Sequence, residues 1–387
     1  MTSSENAATP AIRIPFVEPL RTGAELEALQ AAVERRRLAG DNPASRGAEA
    51  YLRDALGLPH ALLTPSGTAA LELAALLAEL GPGDEVVMPS FTFSSTANAV
   101  VLRGATPVFV DVRSDTLNID AELIRPALTE RTRAIMVVHY AGVPCDMDPI
   151  LDLAKAHGLV VIEDAAQALL ARYRGRPAGA LGDMAAFSFH ETKNIHCGEG
   201  GAFVCRASDL GRRAEIVREK GTNRAAFFRG EIDKYTWIDV GSSFLPSELN
   251  AAFLGAQLER AREITARRLE LWSEYDAALG GLQAAGVALT PQIPEDCEHN
   301  AHIYHLRLPS VERRTAVLQA MRRDGVLSVS HYVPLHSAPA GKRYGRWVGD
   351  MANTDLAGEG LMRLPLWSEM TSDQVAQVID ALRNALG

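Results

Sequence analysis

The sequence predicts an α/β protein: a large domain with a mostly parallel central sheet and flanking helices, then a smaller C-terminal α/β domain. Three observations carry that expectation. Short apolar runs such as HALLT, EVVMP, PVFVDV, TRAIMVV and VVIED alternate with helix-length segments, the spacing a parallel strand needs for its crossover. The 387 residues suffice for one large core and a second, smaller one. Residues capable of chemistry, finally, gather just after the apolar runs, where open α/β sheets present their ligand sites.

Residues 1–13 are small and polar, carry Pro10 and show no periodicity, so a flexible arm is expected ahead of a large domain over 14–250. IPFVEPL is short and extended. GAELEALQAAVERRRLAG has helical spacing and stops at Gly40, and AEAYLRDALGL gives a second amphipathic helix. HALLTPSGTAALELAALLAEL passes from a short strand into a long apolar helix, with Ser66, Gly67 and Thr68 at the joint. Free N–H groups, a hydroxyl and a glycine at such a joint can seat a phosphate; helix capping alone selects the same residue types. GPGDEVVMPS reads as a turn and a strand, FTFSSTANAVVLRG as a helix, and PVFVDV and TRAIMVVHYAG as further strands.

MAAFSF is a buried strand that delivers Ser188 and His190 to an edge, after which Gly198, Gly200 and Gly201 break regular structure. Lys193 therefore sits on a loop over a strand terminus. DLGRRAEIVREKG is a helix leading into TNRAAFFRGEIDKYTWIDVGSSF, where charged and aromatic residues interleave as they do on a solvated surface. A long helix from about Ser247 to Leu279 bridges to the small domain, 251–387. There VALT, IYHLRL and VLSVSHYVPL are strand-like, and VERRTAVLQAMRRDG and SDQVAQVIDALRNAL are helical.

Composition narrows the function. With 39 basic and 48 acidic residues the net charge is −9, which disfavours a broad basic face for nucleic acid; a diphosphate ligand needs a local cationic cluster instead. Cys145, Cys197, Cys205 and Cys297 show neither CxxC nor metal-ligand spacing, so reduced thiols and no metal are expected. Cys197, nearest the chemistry, reads as a small packing residue. The start of the chain lacks a basic, apolar leader and no run approaches the ~18 apolar residues of a membrane span. A cytoplasmic protein without a membrane partner is the expectation. A nicotinamide-dependent dehydrogenase fits the α/β pattern but would need a GxGxxG after the first strand, which is missing.

VVIEDAAQALL, Val160 to Leu170, ends its apolar run in two carboxylates, with Asp164 at the strand's close. A lysine able to bond to an aldehyde, with an aspartate to hold a pyridinium nitrogen, is the pairing that pyridoxal phosphate (PLP) chemistry requires. Lys193 and Asp164 are the candidates for it. The blocks EDAAQA, SFHETKN and GEGG resemble the DegT/DnrJ/EryC1/StrS family of PLP-dependent sugar aminotransferases, which have the aspartate-aminotransferase-like fold (fold type I). TPSGTAALE, MPSFTFSSTANA, FVDV, EKGTNR, KYTW and HYVPLH are similar to the dTDP-4-amino-4,6-dideoxygalactose transaminases and related 4-aminotransferases in it. The likeness runs from about Ile14 to the C-terminus.

The resemblance implies roles for further residues. Gly67, Thr68 and Ser188 would hold the cofactor phosphate, Phe93 would stack on the pyridine ring, and Gln167 would bond its phenolic oxygen. Lys220, Arg224 and Arg229 are the candidates for a substrate diphosphate, and His190, Tyr332 and His336 for the sugar. L-Glutamate is the implied amine donor, a dTDP-linked 4-keto-6-deoxyhexose the acceptor, and a homodimer with shared active sites the implied assembly. Many members place a partner-subunit asparagine on the phosphate; here Leu245 stands at that position, Asn250 belongs to the NAA motif, and Ser242 and Ser243 are the nearby alternatives. In relatives that remove a hydroxyl, histidine replaces the lysine, so Lys193 favours transamination. A 3-aminotransferase of the same family and a non-catalytic PLP-binding regulator are the other readings.

Overall fold

The computed structural model describes residues 11–387. Most of the expected N-terminal arm lies outside these residues. From Arg13 onward the chain is tied down, since the Arg13 N–H donates to the Gly325 carbonyl at 2.8 Å and Ile14 bridges to Val326.

Fourteen strands are present among the described residues: β1 (His60–Thr64), β2 (Glu85–Pro89), β3 (Thr106–Val110), β4 (Thr132–Val138), β5 (Val160–Asp164), β6 (Arg172–Tyr173), β7 (Arg176–Pro177), β8 (Met184–Ser188), β9 (Gly201–Cys205), β10 (Cys297–Glu298), β11 (Tyr304–Arg307), β12 (Val329–Ser330), β13 (Arg346–Trp347) and β14 (Leu361–Leu364). Eight of them form the main sheet in the order β1-β9-β8-β5-β4-β2-β3-β13. The pairings from β8 through to β13 are parallel, and β9 runs antiparallel to both of its neighbours. That is the mostly parallel sheet the apolar runs predict. Every residue of β2 is buried, as a strand covered by helices on both faces must be.

Helices Gly67–Leu77 and Ser94–Val101 pack one face, sharing a core with Val86, Met88, Ile162 and Phe203. Helix Met147–His157 packs the other, with Val87, Ile135 and Val161. A second core surrounds the antiparallel sheet β11-β14-β12 and helices Ala261–Leu279, Val311–Arg323 and Ser372–Leu386. The last helix opens with a capping box, in which Thr371 accepts from the Gln374 N–H while the Gln374 side chain accepts from the Thr371 N–H. Ile14 belongs to this second core, whereas β13 returns to the main sheet. The two lobes thus exchange short segments at their ends.

The expected long helix over 247–279 is two helices, Glu248–Glu259 and Ala261–Leu279. Arg260 between them leaves helical geometry at φ −104° and ψ 8°, and its guanidinium turns back to the Thr22 carbonyl at 3.2 Å. No described helix is long and apolar enough to cross a membrane.

Candidate active site

Asp164 is the last residue of β5, and its carboxylate is almost wholly buried. The Thr96 hydroxyl donates to Oδ2 at 2.8 Å and the Ala166 N–H to Oδ1 at 3.2 Å. Thr92 and Thr96 share a further hydroxyl contact at 2.7 Å, so the donor is itself held in place. Burial pushes the Asp164 pKa up against those hydrogen bonds. No cation forms an ion pair with it among the described residues. The neighbouring Glu163 behaves differently: it is fully buried, yet accepts from the N–H groups of Gly179, Leu181 and Gly182 and from His139 Nε2, all within 2.8 Å. The Cys145 N–H donates to the other ring nitrogen of His139, so Nε2 carries the proton. Of the two carboxylates on this strand, one is saturated by the fold and the other is left for a ligand.

Lys193 hangs over the ends of β5 and β8 from a loop stitched at both sides. Lys193 N–H donates to His190 O at 2.9 Å, Glu191 N–H to Gly198 O at 2.9 Å and Cys197 N–H to Phe189 O at 2.9 Å. Asn194, buried next to it, reaches the Asn300 carbonyl at 2.8 Å and His302 Nδ1 at 3.0 Å. The ammonium makes no hydrogen bond among the described residues. Burial, helped by the Arg363 charge and opposed by Asp164, lowers the Lys193 pKa to about 8, which brings its free-amine form within reach of neutral pH.

The third element is the N-terminus of helix Gly67–Leu77. Ser66 caps it by accepting from the Ala69 N–H at 3.0 Å, and the N–H groups of Gly67 and Thr68 keep no partner among the described residues. A Cβ on Gly67 would lie 2.8 Å from Ser188 Cβ, and one on Gly201 would lie 2.3 Å from the Ser66 carbonyl. Both glycines are there because strand and helix end are pressed together, which puts the Ser188 hydroxyl beside the free N–H groups. Thr68 and Ser95 add a hydroxyl pair at 2.7 Å.

These groups line one cavity of about 580 Å³. Phe93, 58% exposed, lies along its wall with its ring 6.3 Å from Tyr332. Gln167 is buried; its Oε1 accepts from the Ala141 N–H at 2.8 Å and its Nε2 donates to Tyr332 at 3.2 Å. His190 reaches the cavity with Nδ1 against Thr192 at 2.9 Å. His336 does not: its backbone N–H donates to the Ser90 hydroxyl at 2.9 Å, its Nδ1 lies 2.8 Å from the same oxygen, and its Nε2 faces Asp355 at 3.3 Å. Lys220, Arg224 and Arg229 also lie away from the cavity lining of this chain. Arg224 pairs with Glu219 at 2.8 Å, and Arg229 with Glu215 and Glu231 at 2.8 and 2.7 Å. Leu245 packs against Gly40, Ser242 and Ser243 are exposed, and Asn250 donates to the Glu199 carbonyl at 2.8 Å.

Sequence reasoning missed Ser95, Thr96, His302, His331 and Arg363. The hydroxyl run after Phe93 was the available signal for the first two. Arg363 announces itself as a lone charge in the apolar run LMRLPL.

A buried unpaired carboxylate at one end, an unsatisfied helix N-terminus with three hydroxyls at the other, and a low-pKa lysine between them fit a molecule with a ring nitrogen, an aldehyde and a phosphate. With the α/β architecture, that makes the protein a fold type I PLP-dependent aminotransferase. Within that class it belongs to the DegT/DnrJ/EryC1/StrS aminotransferase family, whose model matches residues 20–383. The chain is 36% identical over 337 residues to the spore coat polysaccharide biosynthesis protein SpsC of Bacillus subtilis, covering 85% of this chain and 86% of that one. Among solved structures it is similar to DesV of S. venezuelae, at 32% identity and a TM-score of 0.88 over 97% of this chain and 99% of that one. The aminotransferase TlmJ of Streptoalloteichus hindustanus gives 30% identity and a TM-score of 0.88, with the same coverage.

Proposed function

We propose that the protein transfers the amino group of L-glutamate to the 4-keto carbon of dTDP-4-keto-6-deoxyglucose, yielding a dTDP-4-amino-4,6-dideoxyhexose. The convergence of Lys193 and Asp164 on one cavity is the observation that carries the reading. PLP, when bound, supplies an electron sink for the carbon that exchanges its amine. Asp164 would hold the protonated ring nitrogen, and Thr96 fixes the carboxylate for that role. Gly67, Thr68, Ser95 and Ser188 would hold the phosphate, Phe93 would cover the ring and Gln167 would bond its hydroxyl edge.

Lys193 Nζ would hold the cofactor through its aldehyde carbon and, as a free amine, would move a proton at the substrate carbon. Glu163 takes no part in this; it anchors the Gly179–Gly182 turn. His190 and Tyr332 stand where the sugar enters. Lys220, Arg224 and Arg229 serve a diphosphate in the partner's cavity of a homodimer. Exposed Phe228, Trp237, Ile238 and Val240 beside them support an interface there. The product belongs to surface-polysaccharide or glycosylated natural-product assembly, in keeping with the likeness to SpsC.

The test supplies 4-keto and 3-keto dTDP-6-deoxyhexoses in parallel, with glutamate, and identifies the amino sugar by NMR. Amine appearing at carbon 4 is expected, and its appearance only from the 3-keto sugar would assign the other regiochemistry.

A further inference from the structure

His302 is held on every side but one. Its N–H donates to Asn300 Oδ1 at 3.1 Å, and its carbonyl accepts from the Arg268 guanidinium at 2.7 Å. The ring Nδ1 lies 3.0 Å from Asn194 Oδ1. Asn194 Nδ2 is already committed to the Asn300 carbonyl at 2.8 Å, which leaves Oδ1 as the acceptor, so His302 Nδ1 carries the ring proton and Nε2 keeps a lone pair. Asn300 is fixed in turn, donating to the carbonyls of Gln167 and Leu169 at 2.8 and 2.9 Å. Between Asn300 and His302 the backbone of Ala301 sits at φ 51°, a left-handed conformation that a residue with a Cβ rarely adopts. Strain of that kind persists where the surroundings force a side chain into one place, and the ring placed by it lines the cavity.

Among the described residues Nε2 has no partner, and Lys193 is the matching donor. Its Nζ also lacks a hydrogen bond, and it lines the same cavity. The two residues meet again in a void of about 10 Å³ behind the cavity, which Asn194 and Asn300 line as well and which has about the volume one water needs. Burial, then the charges of Lys193, Arg268 and Arg363, draw the His302 pKa well below the ordinary histidine value. A ring kept neutral in this way offers the amine a lone pair and no competing charge.

We propose that His302 is a positioning residue for Lys193, accepting an N–H of its amine at Nε2 whenever that amine is free of the cofactor. This deepens, and rests on, the transaminase reading of the cavity. A lysine carries its amine on a flexible stem, yet must bring it back repeatedly to one substrate carbon. An acceptor on a ring this constrained limits where Nζ rests. Because Nε2 stays unprotonated, it steadies the amine without taking the proton that the lysine moves.

Two variants separate the two ring nitrogens. In His302→Asn the side-chain amide keeps a donor for Asn194 and the lone pair at Nε2 is lost; in His302→Gln the longer side chain returns an acceptor toward the Nε2 position and the bond to Asn194 is lost. The lysines of the chain are Lys155, Lys193, Lys220, Lys234 and Lys342, few enough for carbon-13 label at Cε to resolve Lys193 by NMR, with Lys193→Met identifying its signal. In cofactor-free protein the Lys193 pKa of about 8 is expected to fall further in His302→Asn, because an acceptor for the ammonium is gone, and to stay near the wild-type value in His302→Gln. In PLP-loaded protein, exchange of the glutamate α-hydrogen with solvent is expected to slow by roughly 10- to 100-fold in His302→Asn, at an unchanged apparent Kd for glutamate, and to recover in His302→Gln. A wild-type lysine pKa and exchange rate in His302→Asn, or a loss confined to His302→Gln, overturns the assignment and leaves His302 as a prop for the loop. Should His302→Asn not fold by circular dichroism, the nitrogen-15 shift of His302 Nε2 in cofactor-free wild type and in Lys193→Met decides: a difference is expected, and identical shifts overturn the proposal. A wild type that never exchanges the α-hydrogen overturns the transaminase reading instead, and is told apart because the cofactor-free measurements do not depend on that reading.

Discussion

Lys193 and Asp164 are opposed charges that the fold brings together but does not pair, and each is left with a proton affinity shifted away from its ordinary value. The sign of the lysine's effect on stability follows. Below about pH 8 the amine is protonated in both folded and unfolded chains, and the folded state carries the full burial cost. Between about 8 and the ordinary value of 10.5 the folded protein sheds its proton first, so stability from this group rises with pH. Thermal melts of the cofactor-free protein across that window should show wild type gaining on Lys193→Met; parallel curves would contradict the shifted pKa. Lys193→Ala should lower amine transfer by about 10²- to 10⁴-fold. Asp164→Ala should lose about 10²- to 10³-fold in kcat, as removal of a buried charge stabiliser does, and a variant with the wild-type kcat would exclude Asp164 as the ring-nitrogen partner.

At the scale of elements, the site is where the end of one helix meets the ends of three strands. A Cβ on Gly67 would meet Ser188 of β8 at 2.8 Å, so Gly67→Ala must push the helix N-terminus off β8, at an expected cost of about 1–3 kcal/mol and a weaker affinity for PLP. Denaturant unfolding and cofactor titration read the two effects; unchanged PLP affinity would show that the helix end does not hold the phosphate. Much of this arrangement was legible in the sequence. Strand ends were visible because apolar runs stop sharply at Pro89, Asp164 and Ser188, and Lys193 was visible because glycines isolate its loop. Thr96 and Arg363 were not, since what matters about them is tertiary: Thr96 bonds a carboxylate 68 residues away, and Arg363 reaches the cavity from β14 of the second sheet. The break at Arg260 escaped because neither glycine nor proline stands there to mark it.

For the whole molecule, the cavity draws on both lobes. Asp164, Lys193 and Gly67 come from the main sheet and its helix, while Tyr332, His302 and Arg363 come from around the second core. A ligand bound there touches residues of both lobes, and the diphosphate role proposed for Lys220, Arg224 and Arg229, which lie outside this chain's cavity, calls for a partner subunit. Complementation checks that requirement. Inactive Lys193→Ala mixed with a diphosphate-binding variant, Arg224→Ala, should recover activity as subunits exchange, because some hybrid dimers hold one intact site; no recovery after demonstrated exchange would place all functional residues in one chain.

The central claim is that this cavity runs both halves of a transamination on an amino acid and a keto sugar. Its most direct test is the visible absorption spectrum of the PLP-loaded protein as L-glutamate and then dTDP-4-keto-6-deoxyglucose are added. The account predicts that the cofactor band fades with glutamate and returns with the sugar, with both changes absent in Lys193→Ala. A band that persists unchanged in glutamate, or that never forms when cofactor is supplied, would contradict it.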